Sequence, residues 1–181
     1  MSYSILALDL ATVTGWAVFK SGMQRPHFGA QRLPGEALEV GRPVEALRRM
    51  ISDLHAVHGF TDIVFEAQHI AEKTNIDTVY RLIALGGMTE WIAHRVGARC
   101  FKVHIQTWRK HFLGKGTGFS RDEAKDMAIA RAEEYGVITD VADAAEAFGI
   151  LDYYCALIER NDRSFTTPWR DKRLFKKPGL L

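Results

Sequence analysis

The chain has 181 residues, 47% apolar and 25% charged, and its 24 basic against 22 acidic side chains give a net charge of +2. This composition excludes a disordered chain, a collagen-like repeat and a mini-protein stapled by disulfides, and the length fits one domain. Cys100 and Cys155 each lie in an apolar stretch and predict free thiols, and no segment reaches the roughly eighteen apolar residues of a membrane span. A soluble, cytoplasmic protein without a membrane partner is therefore expected.

Ile5 to Leu8 is wholly apolar, the pattern of a strand covered on both faces in mid-sheet, and it ends in Asp9. Thr12, Thr14 and Gly15 turn the chain into a second strand at Trp16–Phe19, and Ser21-Gly22 turn it into a third at Phe28–Leu33. Val40, Val44, Leu47, Ile51, Leu54 and His58 recur every three or four residues, predicting an amphipathic helix from Leu38 to His58 that Gly59 stops. Asp62–Phe65 is the next strand, and Glu66 ends it.

A second helix, Asn75 to Val96, is apolar on more than one side, so it is either sandwiched in the core or shared with a second copy. Cys100–Val103 is a fifth strand, and His104–Phe119 reads as irregular and glycine-rich. Ser120, with Glu123 three residues on, caps a third helix that runs to Tyr135 before Gly136. The fourth runs from Asp140 to Arg160, and 161–181 reads as an extended or disordered basic tail behind a 1–160 domain. The expected class is a mixed α/β domain.

Asp9 and Glu66 each end an apolar strand, where α/β folds place their ligands. In the last helix, at about 100° per residue, Asp143 falls in line with Ala147, Ile150 and Tyr154, and Glu146 lies roughly 60° away. An acid facing the interior must be protonated, paired or metal-bound, because burying it bare costs several kcal/mol, and a helix N-terminus offsets only about 0.3–1 kcal/mol. These acids are hard oxygen ligands with no Cys/His spacing for zinc, which points to Mg²⁺ or Mn²⁺. Two such ions about 3.5–4 Å apart activate a water and stabilise the leaving oxygen in phosphodiester cleavage.

Charge is sorted along the chain. His94–Lys125 carries +6 and Asp162–Leu181 carries +4 against the total of +2, so the remainder carries −8. Arg109, Lys110, Lys115, Arg121 and Lys125 are candidate phosphate contacts, and Trp108 or His69 a candidate base-stacking side chain, with a core role open for Trp108.

ILALDLATVTGWAV resembles the first strand of the RuvC-like Holliday junction resolvases, with the family's first acid at Asp9 and its turn at Thr14-Gly15. IVFEAQHI is similar to the strand that carries the second acid, here Glu66, and DAAEAFGILDYY to the last helix, with two acids three residues apart. WRKHFLGKGTGFSRDEAK is similar to the basic loop and helix start of phage-type members. One register of the last helix selects Asp143 and Glu146, with Glu where the family has a final Asp; the other selects Asp140 and Asp143.

The resemblance spans about residues 4–158 and implies a ribonuclease H-like fold in a homodimer. It also implies a Mg²⁺-dependent (or Mn²⁺-dependent) crossover junction endodeoxyribonuclease that cuts branched DNA in a bacterial or phage-infected cell, leaving 5′-phosphate and 3′-hydroxyl ends. Asp9, Glu66, Asp143 and Glu146 would be its catalytic and metal-holding residues. Sugar kinase and actin-like ATPases begin with a similar strand but need a second domain and further phosphate loops, so no nucleotide cofactor is expected. The remaining alternatives are a non-cleaving, branched-DNA-binding recombination accessory protein and a nuclease acting on RNA or RNA–DNA hybrids.

Overall fold

An apolar run such as Ile5–Leu8 has to be covered on both faces, and it occupies the middle of the sheet. In the computed structural model, which describes residues 2–35, 39–67 and 75–170, this strand is β1 (Ser4–Asp9). On one side it pairs antiparallel with β2 (Val13–Lys20), which pairs antiparallel with β3 (His27–Arg32). On the other it runs parallel to β4 (Asp62–Glu66), which runs parallel to β5 (Arg99–Val103). The order is β3-β2-β1-β4-β5, a five-stranded mixed sheet.

Alternation along the strands divides the interior in two. Leu6, Leu8, Val18, Ile63 and Phe65 face α1 (Gly41–His58) and α2 (Ile76–Val96). Ile5, Ala7, Ala17, Phe19 and Val64 face α3 (Ile105–Leu113), α4 (Arg121–Glu134) and α5 (Ala142–Asn161). The helix ends follow their sequence signals: Gly59 closes α1 with φ +63°, and Ser120 and Glu123 form a reciprocal capping box at the start of α4. Both cysteines are free, and no described helix is long and apolar enough to cross a membrane.

Three expectations are corrected. The stretch expected to be irregular after β5 contains α3, because Ile105, Trp108 and Phe112 share one helical face and the last two fill the core beside α5. The segment read as a loose basic tail packs on the domain as far as Arg170: Phe165 and Trp169 are buried, and Pro168–Arg170 forms a single 3-10 turn. Trp169 and Arg170 donate to the buried Asp152, and Arg170 also to Glu159, so aromatic burial and ion pairs offset the ordering of this segment. Residues 171–181 lie outside the described residues. Finally, α5 begins at Ala142, two residues beyond the expected start at Asp140, which lies exposed ahead of the helix.

The two apolar sides of α2 have different fates. Leu85, Ile92 and Ala93 are buried against the sheet. Ile76, Tyr80, Ile83 and Trp91, spaced four, three and eight residues apart, form a stripe more than half exposed to solvent.

Candidate active site

Strand register builds the first half of the site. Leu8 pairs with Phe65 across the parallel β1–β4 ladder, so Asp9 and Glu66, one residue further on, end neighbouring strands at the same level. Alternation sends both toward the face of Ala7 and Val64, which α5 covers.

The second half comes from α5, and a glycine sets how close it comes. Gly15 lies opposite Asp9 on β2, and a Cβ there would sit 1.8 Å from the Asp143 carbonyl oxygen and 2.3 Å from its carbon. Only a residue without a side chain lets the first turn of α5 rest on the sheet at this point. Asp9, Asp143 and Glu146 consequently each bring one carboxylate oxygen within 4.8 Å of one another. Glu66 lines the same cleft, of about 1230 Å³, without belonging to that trio, and Asp140 is not among the lining residues. The fold thus assembles the Asp143/Glu146 register. Glu146 goes deeper, its side chain 7% exposed against 16% for Asp143, because Asp143 sits in the first turn at the cleft end of the helix.

Asp9, Glu66 and Glu146 are held above the usual carboxylate range. Burial pushes the Asp9 carboxyl well above the usual range, and the charges of Glu146, Glu66 and Asp143 push it further, with Lys125 opposing. Glu66 is pushed up to about 7, chiefly by burial, against hydrogen bonding from Trp108 and the charge of Arg109. Glu146 is raised by burial too, with Arg109 and Lys125 opposing. Elsewhere the buried acids have full sets of donors. Asp152 receives His111, Trp169 and Arg170, and these hold its carboxyl below the usual range against the effect of burial. Asp62 receives Thr61, Tyr154 and Arg99. As Asp152 shows, burial alone does not raise a carboxyl in this fold.

Two basic residues reach into the acids. Arg109 pairs with Glu146 at 3.0 Å and Lys125 with Asp143 at 3.3 Å. These two contacts bring two positive charges to the four acids, and a divalent cation would add to them. The donors are oxygen throughout, a set that fits Mg²⁺ or Mn²⁺.

The other expected residues separate. Arg121 lies on the cleft rim, whereas Lys110 and Lys115 are exposed outside its lining, Lys115 over the Phe119 ring at 4.7 Å. Trp108 cannot stack on a base: it is fully buried, and its indole Nε1–H donates to Glu66 Oε2 at 2.7 Å. His69 lies outside the described residues. Sequence reasoning missed Arg32 and Arg81, which line the cleft; Arg81 donates to Thr12 Oγ1 at 3.3 Å and to the Gly35 carbonyl at 3.0 Å. Neither stands in a basic cluster of the sequence, so only tertiary structure brings them in.

No protein-family model and no curated protein matches the sequence. Solved structures do match. The RuvC of Thermus thermophilus in complex with a Holliday junction substrate superposes with a TM-score of 0.67 at 12% identity, covering 88% of this chain and 96% of that one. A second Thermus thermophilus RuvC structure gives 0.64 at 14%, covering 89% and 96%. The yeast mitochondrial Holliday junction resolvase gives 0.57 at 12%, covering 84% and 77%. At such identities the likeness is one of architecture, and the chain has the α/β ribonuclease H-like fold that these resolvases share.

Proposed function

We propose that this chain is a divalent-metal-dependent endonuclease that resolves branched DNA. The observation that carries this reading is the convergence of Asp9, Glu66, Asp143 and Glu146 in one open cleft, on a scaffold like that of a RuvC described in complex with a Holliday junction. Mg²⁺ or Mn²⁺, as two ions, would be held by Asp9, Glu66, Asp143 and Glu146. Held there, the metal would supply Lewis-acid stabilisation of a phosphate oxygen and would lower the pKa of a water.

The protein's own groups do the rest. Burial of the acids keeps their field from being screened by water. Arg109 and Lys125 keep Glu146 and Asp143 oriented by ion pairs and add positive charge where a phosphate would lie. Arg121 on the rim, with Lys110 and Lys115 beyond it, would grip the backbone without reading sequence. The exposed stripe of α2 supports a homodimer, since two copies related by a two-fold axis would cover it and match the near two-fold symmetry of a four-way junction.

The reading is tested with a labelled four-way junction and the matching linear duplex. Paired symmetric cuts on the junction alone, present with Mg²⁺ or Mn²⁺ and absent with EDTA, are expected. Binding without cutting under either metal would replace this reading with the accessory-protein one; cutting confined to RNA–DNA hybrids would move the substrate to RNA.

A further inference from the structure

Helix α3 donates to two of the cleft's acids from consecutive positions. Trp108 Nε1–H reaches Glu66 Oε2 at 2.7 Å, and Arg109 reaches Glu146 Oε1 at 3.0 Å. The first contact differs from the second in kind. Its donor is neutral and wholly buried, so it leaves the charge of Glu66 intact and has no solvent to turn to. An indole N–H buried without an acceptor is costly, which makes the bond binding on both partners.

The donor is also rigid. Trp108 and Phe112 pack against Gly149 of α5, where a Cβ would lie 3.0 Å from Trp108 Cζ3 and 2.7 Å from Phe112 Cδ1. One turn along, His111 Nε2 lies 2.9 Å from Asp152 Oδ2, and Asp152 in turn is fixed by Trp169 and Arg170, each at 2.8 Å. Helix α3 is therefore pinned from behind by the C-terminal segment. A glutamate at a strand end loses side-chain freedom when it takes up one orientation, and here the indole helps to select that orientation in advance.

We propose that Trp108 is a positioning residue: its buried indole N–H orients the Glu66 carboxylate for the divalent ion, with α3 as the bracket that holds it. This rests on the metal-dependent reading above. Partners that orient a metal ligand in this way typically contribute about 10–100-fold in metal affinity.

The test is calorimetric titration of Mn²⁺ into the full chain and its Trp108→Phe, Phe112→Leu, Glu66→Ala and Glu66→Ala/Trp108→Phe variants. Trp108→Phe is expected to weaken Mn²⁺ binding at least about 10-fold. Phe112→Leu, which loosens the same helix without touching an acid, should stay within about twofold, and Trp108→Phe should add nothing once Glu66 is gone. Wild-type affinity in Trp108→Phe, an equal loss in Phe112→Leu, or an undiminished effect in the Glu66→Ala background would overturn the proposal alone. A wild-type chain that binds no Mn²⁺ would overturn the metal-dependent reading and this proposal together.

Because Trp108→Phe leaves a cavity, the ¹⁵N indole resonances of the four tryptophans provide a second readout in the unaltered core. The Trp108 indole should move on adding Mg²⁺ to wild type and not to Glu66→Ala; an indole indifferent to Mg²⁺ in wild type would count against the proposal.

Discussion

Glu66 shows how a single residue links the site to stability. Its folded-state pKa of about 7 lies above the ordinary 4.5, so between these values the native state binds more protons than the unfolded one. The stability it contributes is full below about 4.5 and is lost as pH rises through about 7, an effect on the order of a few kcal/mol. In EDTA, the melting temperature of wild type should fall over this window more steeply than that of Glu66→Gln, whose side chain does not titrate. Mg²⁺ should flatten the difference, because binding the ion requires the deprotonated form. Identical pH slopes for the two proteins in EDTA would contradict this account of the cleft's electrostatics. Gly15 is the other residue on which the site turns. Gly15→Ala puts a methyl group 1.8 Å from the Asp143 carbonyl oxygen, so either α5 withdraws or the strand bends. A loss of several kcal/mol in denaturant unfolding is expected, larger than the usual overpacking range of about 1–3 kcal/mol. A variant of unchanged stability would mean that α5 does not rest on β2 as described.

At the scale of elements, the sequence was most legible where pattern and fold use the same period. The wholly apolar Ile5–Leu8 predicted a central strand, and Asp9 and Glu66 were identified as strand-end acids before the register brought them side by side. Helix α3 was hidden because Gly114, Gly116 and Gly118 give the stretch its loop-like composition, while Ile105, Trp108 and Phe112 make too short a run to outweigh them. A core place for Trp108 was one of its two readings, but its hydrogen bond to Glu66 could not be read, since that partner lies 42 residues away. The helical projection singled out Asp143 as the inward acid, yet Glu146 is the more buried: a projection gives direction around the axis but not depth along it. Helix α2 was legible as two-sided, and the structure separates a core side from an exposed stripe. If the stripe joins two copies, a Tyr80→Glu/Ile83→Glu variant should run as a monomer in light scattering where wild type runs as a dimer, with its thermal stability reduced by the loss of the partner. A wild-type monomer at high concentration would remove the dimer from the proposal.

Across the whole molecule, the uneven charge along the chain takes on a spatial meaning. The +6 segment from His94 to Lys125 includes α3 and the start of α4, which contribute Arg109, Arg121 and Lys125 to the cleft lining, and β3 and α2 add Arg32 and Arg81. The acids of the same cleft stand at the ends of β1 and β4 and in the first turns of α5. A polyanion can approach such a surface through its rim cations and meet the acids only at the centre, provided that a divalent ion screens them. Binding and cutting thereby fall to different residues, and Asp9, in the middle of the acids, separates the two. Asp9→Asn removes one charge without changing shape, so the direct measurement is junction affinity and junction cleavage by this variant beside wild type in Mg²⁺. Affinity within a few-fold of wild type together with cleavage reduced at least about 10³-fold is the expected result; normal cleavage, with or without weakened binding, would contradict it.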